Sequence, residues 1–182
     1  LAEAMHLLDT ACFTYHRPQS AGWMSLCIHG ISTVHTNCAD DYNLPDDYEE
    51  TDSHWTDIAK FCPKTVDFME NHLKYEDYTR VRFMVLLPGG WIGPHTDKDR
   101  QGFGATNIAV NNPDGCALVM EDWGTMPFEP GAIMKINTRY NHSVWNRSDT
   151  PRVHMIVDGG MGDYFKDRCV ESYKRRGGML DI

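Results

Sequence analysis

Hydrophobic and polar positions divide the chain into a helical and loop-rich front, a β-rich middle and a helical tail. Residues 2–10 suit a short helix, and Arg17-Pro18-Gln19-Ser20 breaks it from the next segment. Residues 22–28 alternate loosely and stop at His29-Gly30, the pattern of a strand and a turn. Residues 39–52 are acidic and turn-rich, an exposed loop able to serve as a lid. Asp52 or Ser53 can cap a helix opening near His54-Trp55, in which Trp55, Ile58, Ala59 and Cys62 form one apolar stripe. Pro63 suits the first position of a second helical segment, with Val66, Phe68, Met69 and Leu73 turned inward. From Arg80 the period changes. Residues 81–87 are a β-rich run stopped by Pro88-Gly89-Gly90, and residues 106–110, 116–121, 132–136 and 153–157 are further short strands between Gly/Pro/Asn turns. Tyr164, Phe165, Cys169, Val170 and Tyr173 return to helical spacing over 163–176, with Gly177-Gly178 as a stop.

Many short strands with Gly/Pro turns predict a mainly β fold with flanking helices, a jelly roll of the cupin kind. With 182 residues and no linker or repeat, a single domain is expected, with a lead-in over 1–79, a β core over about 80–158 and a C-terminal helix over about 163–176. The net charge of −9 and pI of about 5.4 argue against a nucleic-acid or anionic-membrane binder. No apolar run approaches the ~20 residues of a transmembrane helix. Leu1 to Thr10 carries Glu3, His6 and Asp9 without a basic lead, so no signal peptide is read there. The six cysteines form no CxxC pair and no framework spacing, which argues against zinc-ribbon and disulfide-scaffold readings and makes a reduced, cytoplasmic protein the default expectation.

The candidate chemistry centres on Pro94-His95-Thr96-Asp97, with a second histidine at His142 and Arg152 ten positions beyond it. On an extended chain residues i and i+2 face the same side, so His95 and Asp97 can reach one ion. Two imidazoles and a carboxylate on one face of a metal leave other coordination positions open for cosubstrate and oxygen, the facial triad of non-haem Fe(II) oxygenases. Arg152 would supply a permanently charged fork for a carboxylate such as that of 2-oxoglutarate. If Val153 lies on a strand, His154 shares the face of Arg152, either touching cosubstrate or substrate or packing as a core histidine. His29 and His35 have no further ligand at useful spacing and are expected to be solvated or hydrogen-bonded. Trp123 and Trp145 are expected in the core, and Arg82 and Arg139 as surface charges.

With those residues in hand, residues 80–158 resemble the aspartyl/asparaginyl β-hydroxylase family of Fe(II)/2-oxoglutarate oxygenases. The resemblance lies in Leu87-Pro88-Gly89-Gly90-Trp91-Ile92-Gly93-Pro94-His95-Thr96, Pro113-Asp114-Gly115-Cys116, Trp123-Gly124, Asn141-His142-Ser143-Val144-Trp145-Asn146, and the run from Pro151-Arg152-Val153-His154 to Asp158. Residues 55–65 also resemble the segment before this core in several relatives. The resemblance implies a double-stranded β-helix holding Fe(II) and 2-oxoglutarate, with His95 and His142 as iron ligands and Arg152 on the distal carboxylate of the cosubstrate. In the best-known animal members a glycine stands at the position of Asp97; here the full His95, Asp97, His142 set is available, which argues for hydroxylation over halogenation. The family's Arg-x-His patch corresponds to Ala105-Thr106-Asn107, so Asn107 takes the place of a histidine beside the cosubstrate.

The function expected is therefore a 2-oxoglutarate-dependent non-haem iron dioxygenase, a hydroxylase using Fe(II), 2-oxoglutarate and O2. Its substrate would be an amino acid, a peptide side chain or a related small molecule, with succinate and CO2 as coproducts. No nucleic-acid or membrane partner is expected, and oligomeric state is not legible. Two rivals remain open at this point: a cupin-type metalloenzyme that does not use 2-oxoglutarate, against which Arg152 speaks, and a non-catalytic β-barrel binding module, against which the triad speaks.

Overall fold

A computed structural model describes residues 1–11, 13–15, 20–34, 53–73, 75–97, 104–160 and 162–175. His35, the acidic stretch 39–52 with Asp52 as a cap, and the stop at Gly177-Gly178 lie outside the described residues. In chain order the elements are α1 (Ala2–Thr10), β1 (Thr14–Tyr15), β2 (Ser20–Gly30), β3 (His54–Trp55), α2 (Pro63–Asp67), β4 (Arg80–His95), β5 (Thr106–Ala109) and β6 (Cys116–Met120). They continue with β7 (Gly124–Thr125), β8 (Ile133–Lys135), β9 (His142–Asn146), β10 (Arg152–Asp158) and α3 (Asp163–Arg175).

The long strand β4 organises the sheet. Its first part pairs antiparallel with β10, Leu86 opposite Arg152 and Arg80 opposite Asp158. Its second part pairs with β9, Trp91 opposite Trp145 and His95 opposite His142. β2 follows β4 along the other edge, with a register shift between Ala21 and Trp23. The order β7-β6-β9-β4-β10-β5-β8 is thus two strand sets that share β4, one built on each of its parts. This is the topology of a double-stranded β-helix, mainly β with helices at the flank, as the strand pattern predicts.

Pro88-Gly89-Gly90 does not stop β4. The strand runs through it, because glycine tolerates the handover from one set to the other. A Cβ on Gly90 would lie 2.8 Å from the carbonyl oxygens of Ala21 and Leu87, and Gly22, on the facing strand, has φ +68°.

Alternation along the strands gives each set two faces. Val81, Phe83, Val85, Val153, Met155, Val157 and Ile108 face outward and pack with Ala4 and Leu7 of α1, with Met69 and Leu73, and with Phe165 of α3. The opposite positions, Met84, Leu86 and Ala109, turn into the barrel against Ile92, Leu118, Met120 and Val144 of the other set. Each fully buried aliphatic side chain of this kind contributes roughly 1.5–3 kcal/mol. The expected helix from His54 does not form there; His54 and Trp55 pair with Gly30 and His29 as β3, and a 3-10 turn begins only at Asp57. Glu3 ties the helical layer together: its carboxylate accepts from the backbone N–H of Lys64 (2.8 Å) and Thr65 (3.1 Å) and from the Thr65 hydroxyl (2.7 Å). It supplies from α1 the cap that Cys62 lacks at the start of α2. No helix among the described residues is long and apolar enough to cross a membrane.

His29 is buried between Trp55 and Tyr78, with ring centroids at 4.9 and 4.7 Å, and its Nδ1 donates to the Thr79 carbonyl at 3.3 Å. Burial lowers its pKa below 6.5. Between 6.5 and that lower value the unfolded chain binds a proton that the folded chain refuses, so stability falls as pH falls through this window and the slope vanishes below it. Urea unfolding at about pH 7.5 and about pH 5.5 is expected to show a larger acid loss in the wild type than in His29→Gln.

Candidate active site

The end of β4 and the start of β9 set the two histidines side by side. His95 and His142 are a registered pair, with ring centroids 4.3 Å apart. The strand ends at His95; two residues on, the Asp97 N–H donates to the Thr138 carbonyl at 2.8 Å, and the Asp97 carboxylate lies on the same side as His95. His95 Nε2 and Asp97 Oδ1 are 3.8 Å apart, and the ligand atoms of His95, Asp97 and His142 all lie within 4.8 Å of one another. Each imidazole is held by its other nitrogen: His95 Nδ1 lies 2.9 Å from the Gly93 carbonyl and His142 Nδ1 lies 3.0 Å from that of Tyr140. A carbonyl only accepts, so in the neutral rings Nδ1 carries the proton and Nε2 keeps its lone pair for a metal. The donor set therefore fits a divalent ion such as Fe(II). About a quarter of the His95 and Asp97 side chains is exposed, whereas His142 is buried, so the triad is open on one side.

Arg152 opens β10 and is 1% exposed. Its Nε donates to Asn112 Oδ1 at 3.0 Å and its Nη1 to His154 Nδ1 at 3.1 Å, and its guanidinium lies over the Phe128 ring at 4.7 Å. Burial pulls its pKa down to about 10, which leaves it charged at pH 7. Among the described residues no carboxylate pairs with it. His154 is buried two residues along the same inner face. Asn107 alternates with outward-facing Ile108 and so faces inward, with its Nδ2 donating to the Ala105 carbonyl at 3.1 Å. Asp97 bonds to Thr138, and Gly104 to Ile136, so the start of β5 lies beside the triad. Arg152 lies toward the other end of the inner face, opposite Leu86, with its guanidinium turned along the strand to His154.

Supporting residues were less legible. Asn111 straddles Arg152 in the chain: its Nδ2 donates to the Pro151 carbonyl (3.0 Å) and its Oδ1 accepts from the Val153 N–H (2.6 Å). Asn111-Asn112 reads in the sequence as turn punctuation, and nothing in the sequence marks Phe128. Asn146 is fully buried; it donates to the carbonyls of Leu86 (2.9 Å) and Thr150 (2.8 Å) and accepts from the Ser148 N–H (2.9 Å), holding the turn that delivers Arg152. Asn146→Ala strands those groups and is expected to cost about 2–4 kcal/mol in urea unfolding.

Three expectations are corrected. Trp123 is 38% exposed, edge-on to Tyr140 at 4.5 Å, because its 3-10 turn sits at the rim. Trp145 is half-buried on the outer face beneath Arg147. Arg82 is not a surface charge; it is 4% exposed and bonds Asp158 at 2.7 Å, because it alternates with Val81 and Phe83 and so turns into the barrel.

A double-stranded β-helix carrying a two-histidine, one-carboxylate cluster and a buried arginine defines the class: a barrel protein with a candidate mononuclear metal centre. The chain belongs to the aspartyl/asparaginyl β-hydroxylase family, whose model matches residues 6–160, and with it has an oxygenase/hydroxylase fold. No curated protein is significantly similar in sequence. Among solved structures it is similar to a prolyl hydroxylase from Trichoplax adhaerens in complex with a hypoxia inducible factor peptide fragment (12% identity, 93% of this chain and 78% of that chain, TM-score 0.48). It is also similar to a Pseudomonas putida prolyl-4-hydroxylase (14%, 88% and 84%, TM-score 0.46). A third is a sugar phosphate isomerase of the cupin superfamily from Silicibacter pomeroyi (21%, 43% and 48%, TM-score 0.34), of whose length the chain spans about half. Likeness at this level does not bear on activity or substrate.

Proposed function

We propose that this protein is an Fe(II)- and 2-oxoglutarate-dependent hydroxylase acting on an amino acid, a peptide side chain or a related small molecule, with succinate and CO2 as coproducts. The observation that carries the reading is Arg152, a fully buried guanidinium with no carboxylate partner among the described residues, on the inner face of a barrel that also bears the triad. A buried charge is costly unless paired, and an anionic cosubstrate supplies the pair.

In this reading His95, Asp97 and His142 hold the iron and Arg152 receives the distal carboxylate of 2-oxoglutarate. Bound iron and cosubstrate supply the oxidising chemistry, which no side chain provides. The chain's own contribution is placement and exclusion of water. The carbonyls of Gly93 and Tyr140 fix the histidine tautomers, Asn107 and His154 line the cosubstrate's path, and Met84, Leu86, Ile92 and Leu118 keep the interior apolar. The partly exposed side of His95 and Asp97 is where substrate approaches. Among the described residues Cys27, Cys62, Cys116 and Cys169 are free thiols, and burial pushes Cys27 up to about 11, which keeps it un-ionised and unreactive at pH 7.

The test is oxygen-dependent conversion of 2-oxoglutarate to succinate by the Fe(II)-loaded protein, screened over free amino acids and peptides. A substrate that raises succinate release and gains one oxygen atom supports the proposal. Turnover of a metal-dependent substrate without 2-oxoglutarate moves the cupin-type reading to first place.

A further inference from the structure

Arg152 is held at three points, and none of them carries charge. Nε is taken by a neutral amide oxygen of Asn112 at 3.0 Å. Nη1 is taken by His154 Nδ1 at 3.1 Å, which must be the unprotonated nitrogen to accept from a guanidinium, so the ring is neutral with its proton on Nε2. Phe128 covers one face at 4.7 Å. The nearby Cys116 thiol is pushed up by burial and is un-ionised at pH 7. A buried arginine held by a carboxylate would be equally rigid, but its charge would be neutralised by the protein itself.

We propose that Asn112 and His154 are specificity-determining positioning residues that fix the plane of Arg152 with neutral acceptors and so reserve its whole charge for the anionic cosubstrate. Of the five guanidinium N–H groups two are engaged by the clamp, one at Nε and one at Nη1. The three left are one on Nη1 and both on Nη2, enough to read a carboxylate bidentately. Asn111 makes the clamp rigid by bonding the backbone on either side of Arg152, so Asn112 enters from a fixed loop. This rests on the reading of the site given above and adds to it which neutral residues make an arginine selective for a charged ligand.

Asn112→Asp separates this from a merely structural role, because it is isosteric and changes only charge. Titration of the Fe(II)-loaded protein with 2-oxoglutarate under anaerobic conditions is expected to show at least about tenfold weaker binding in Asn112→Asp than in wild type. Fe(II) affinity is expected to be unchanged, and the thermal midpoint without cosubstrate unchanged or higher, since the buried charge is then compensated. Cosubstrate affinity and stability thus move in opposite senses, whereas loss of a structural asparagine would lower both. The same contrast at His154 keeps the test available if Asn112→Asp does not fold: His154→Gln, which retains a neutral acceptor, should lose less affinity than His154→Glu. Equal 2-oxoglutarate binding by wild type, Asn112→Asp and His154→Glu overturns this inference alone. A wild-type protein that binds Fe(II) and does not respond to 2-oxoglutarate overturns the site reading itself, and the inference with it.

Discussion

Asp97→Ala is expected to lower Fe(II) affinity by about two orders of magnitude and to abolish 2-oxoglutarate turnover while leaving the fold intact. Removing a residue that only supports a metal ligand costs about 10–100-fold in affinity or activity, so loss of a direct ligand should cost at least the upper end of that range. The fold should survive because the Asp97 side chain is about a quarter exposed and packs in neither core cluster. Its structural bond to Thr138 is made by the backbone N–H, which alanine retains. Competition with a chromogenic chelator measures the affinity, and thermal unfolding of the metal-free protein checks the fold. Unchanged turnover in the variant would remove Asp97 from the triad and leave a two-histidine centre.

The second large effect is at Arg152. Arg152→Met roughly preserves the apolar stem and deletes the charge. Truncating one partner of a buried, hydrogen-bonded charge pair costs about 2–5 kcal/mol, so 2-oxoglutarate affinity should fall by roughly 30-fold to a few thousand-fold. Without cosubstrate the variant's stability is expected to change little, because deleting a buried charge offsets the loss of the bonds to Asn112 Oδ1 and His154 Nδ1. Fe(II) affinity should not change, since Arg152 is not in the ligand cluster. Calorimetric titration with 2-oxoglutarate, set beside a chelator competition for Fe(II), separates these effects. Equal loss of both would mean that Arg152 holds the site together and does not read an anion.

The parts legible in the sequence are those whose signal is local. α1 and α3, the strands β2 and β10, and the His-x-Asp pair follow from local composition and spacing, and the structure brings His95, Asp97 and His142 close together. Less legible were features set by pairing across the sheet. Pro88-Gly89-Gly90 has the composition of a turn, yet β2 runs alongside and carries β4 through it. His54-Trp55 has helical spacing, yet pairing with His29-Gly30 draws it into a strand. Arg82 has the composition of a surface residue, and only the register of β4 against β10 turns it toward Asp158. Asn112 and Phe128 lie far from Arg152 along the chain and meet it only when the barrel closes, so no local pattern marks them.

The proposed chemistry requires one barrel interior to hold Fe(II) and 2-oxoglutarate together. An anaerobic optical titration, Fe(II) first and 2-oxoglutarate second, probes this through the visible metal-to-cosubstrate charge-transfer band. The band is expected to saturate with one cosubstrate per protein and to be lost in Arg152→Met at the same cosubstrate concentration. Bound iron with no band at saturating 2-oxoglutarate would contradict the proposed function.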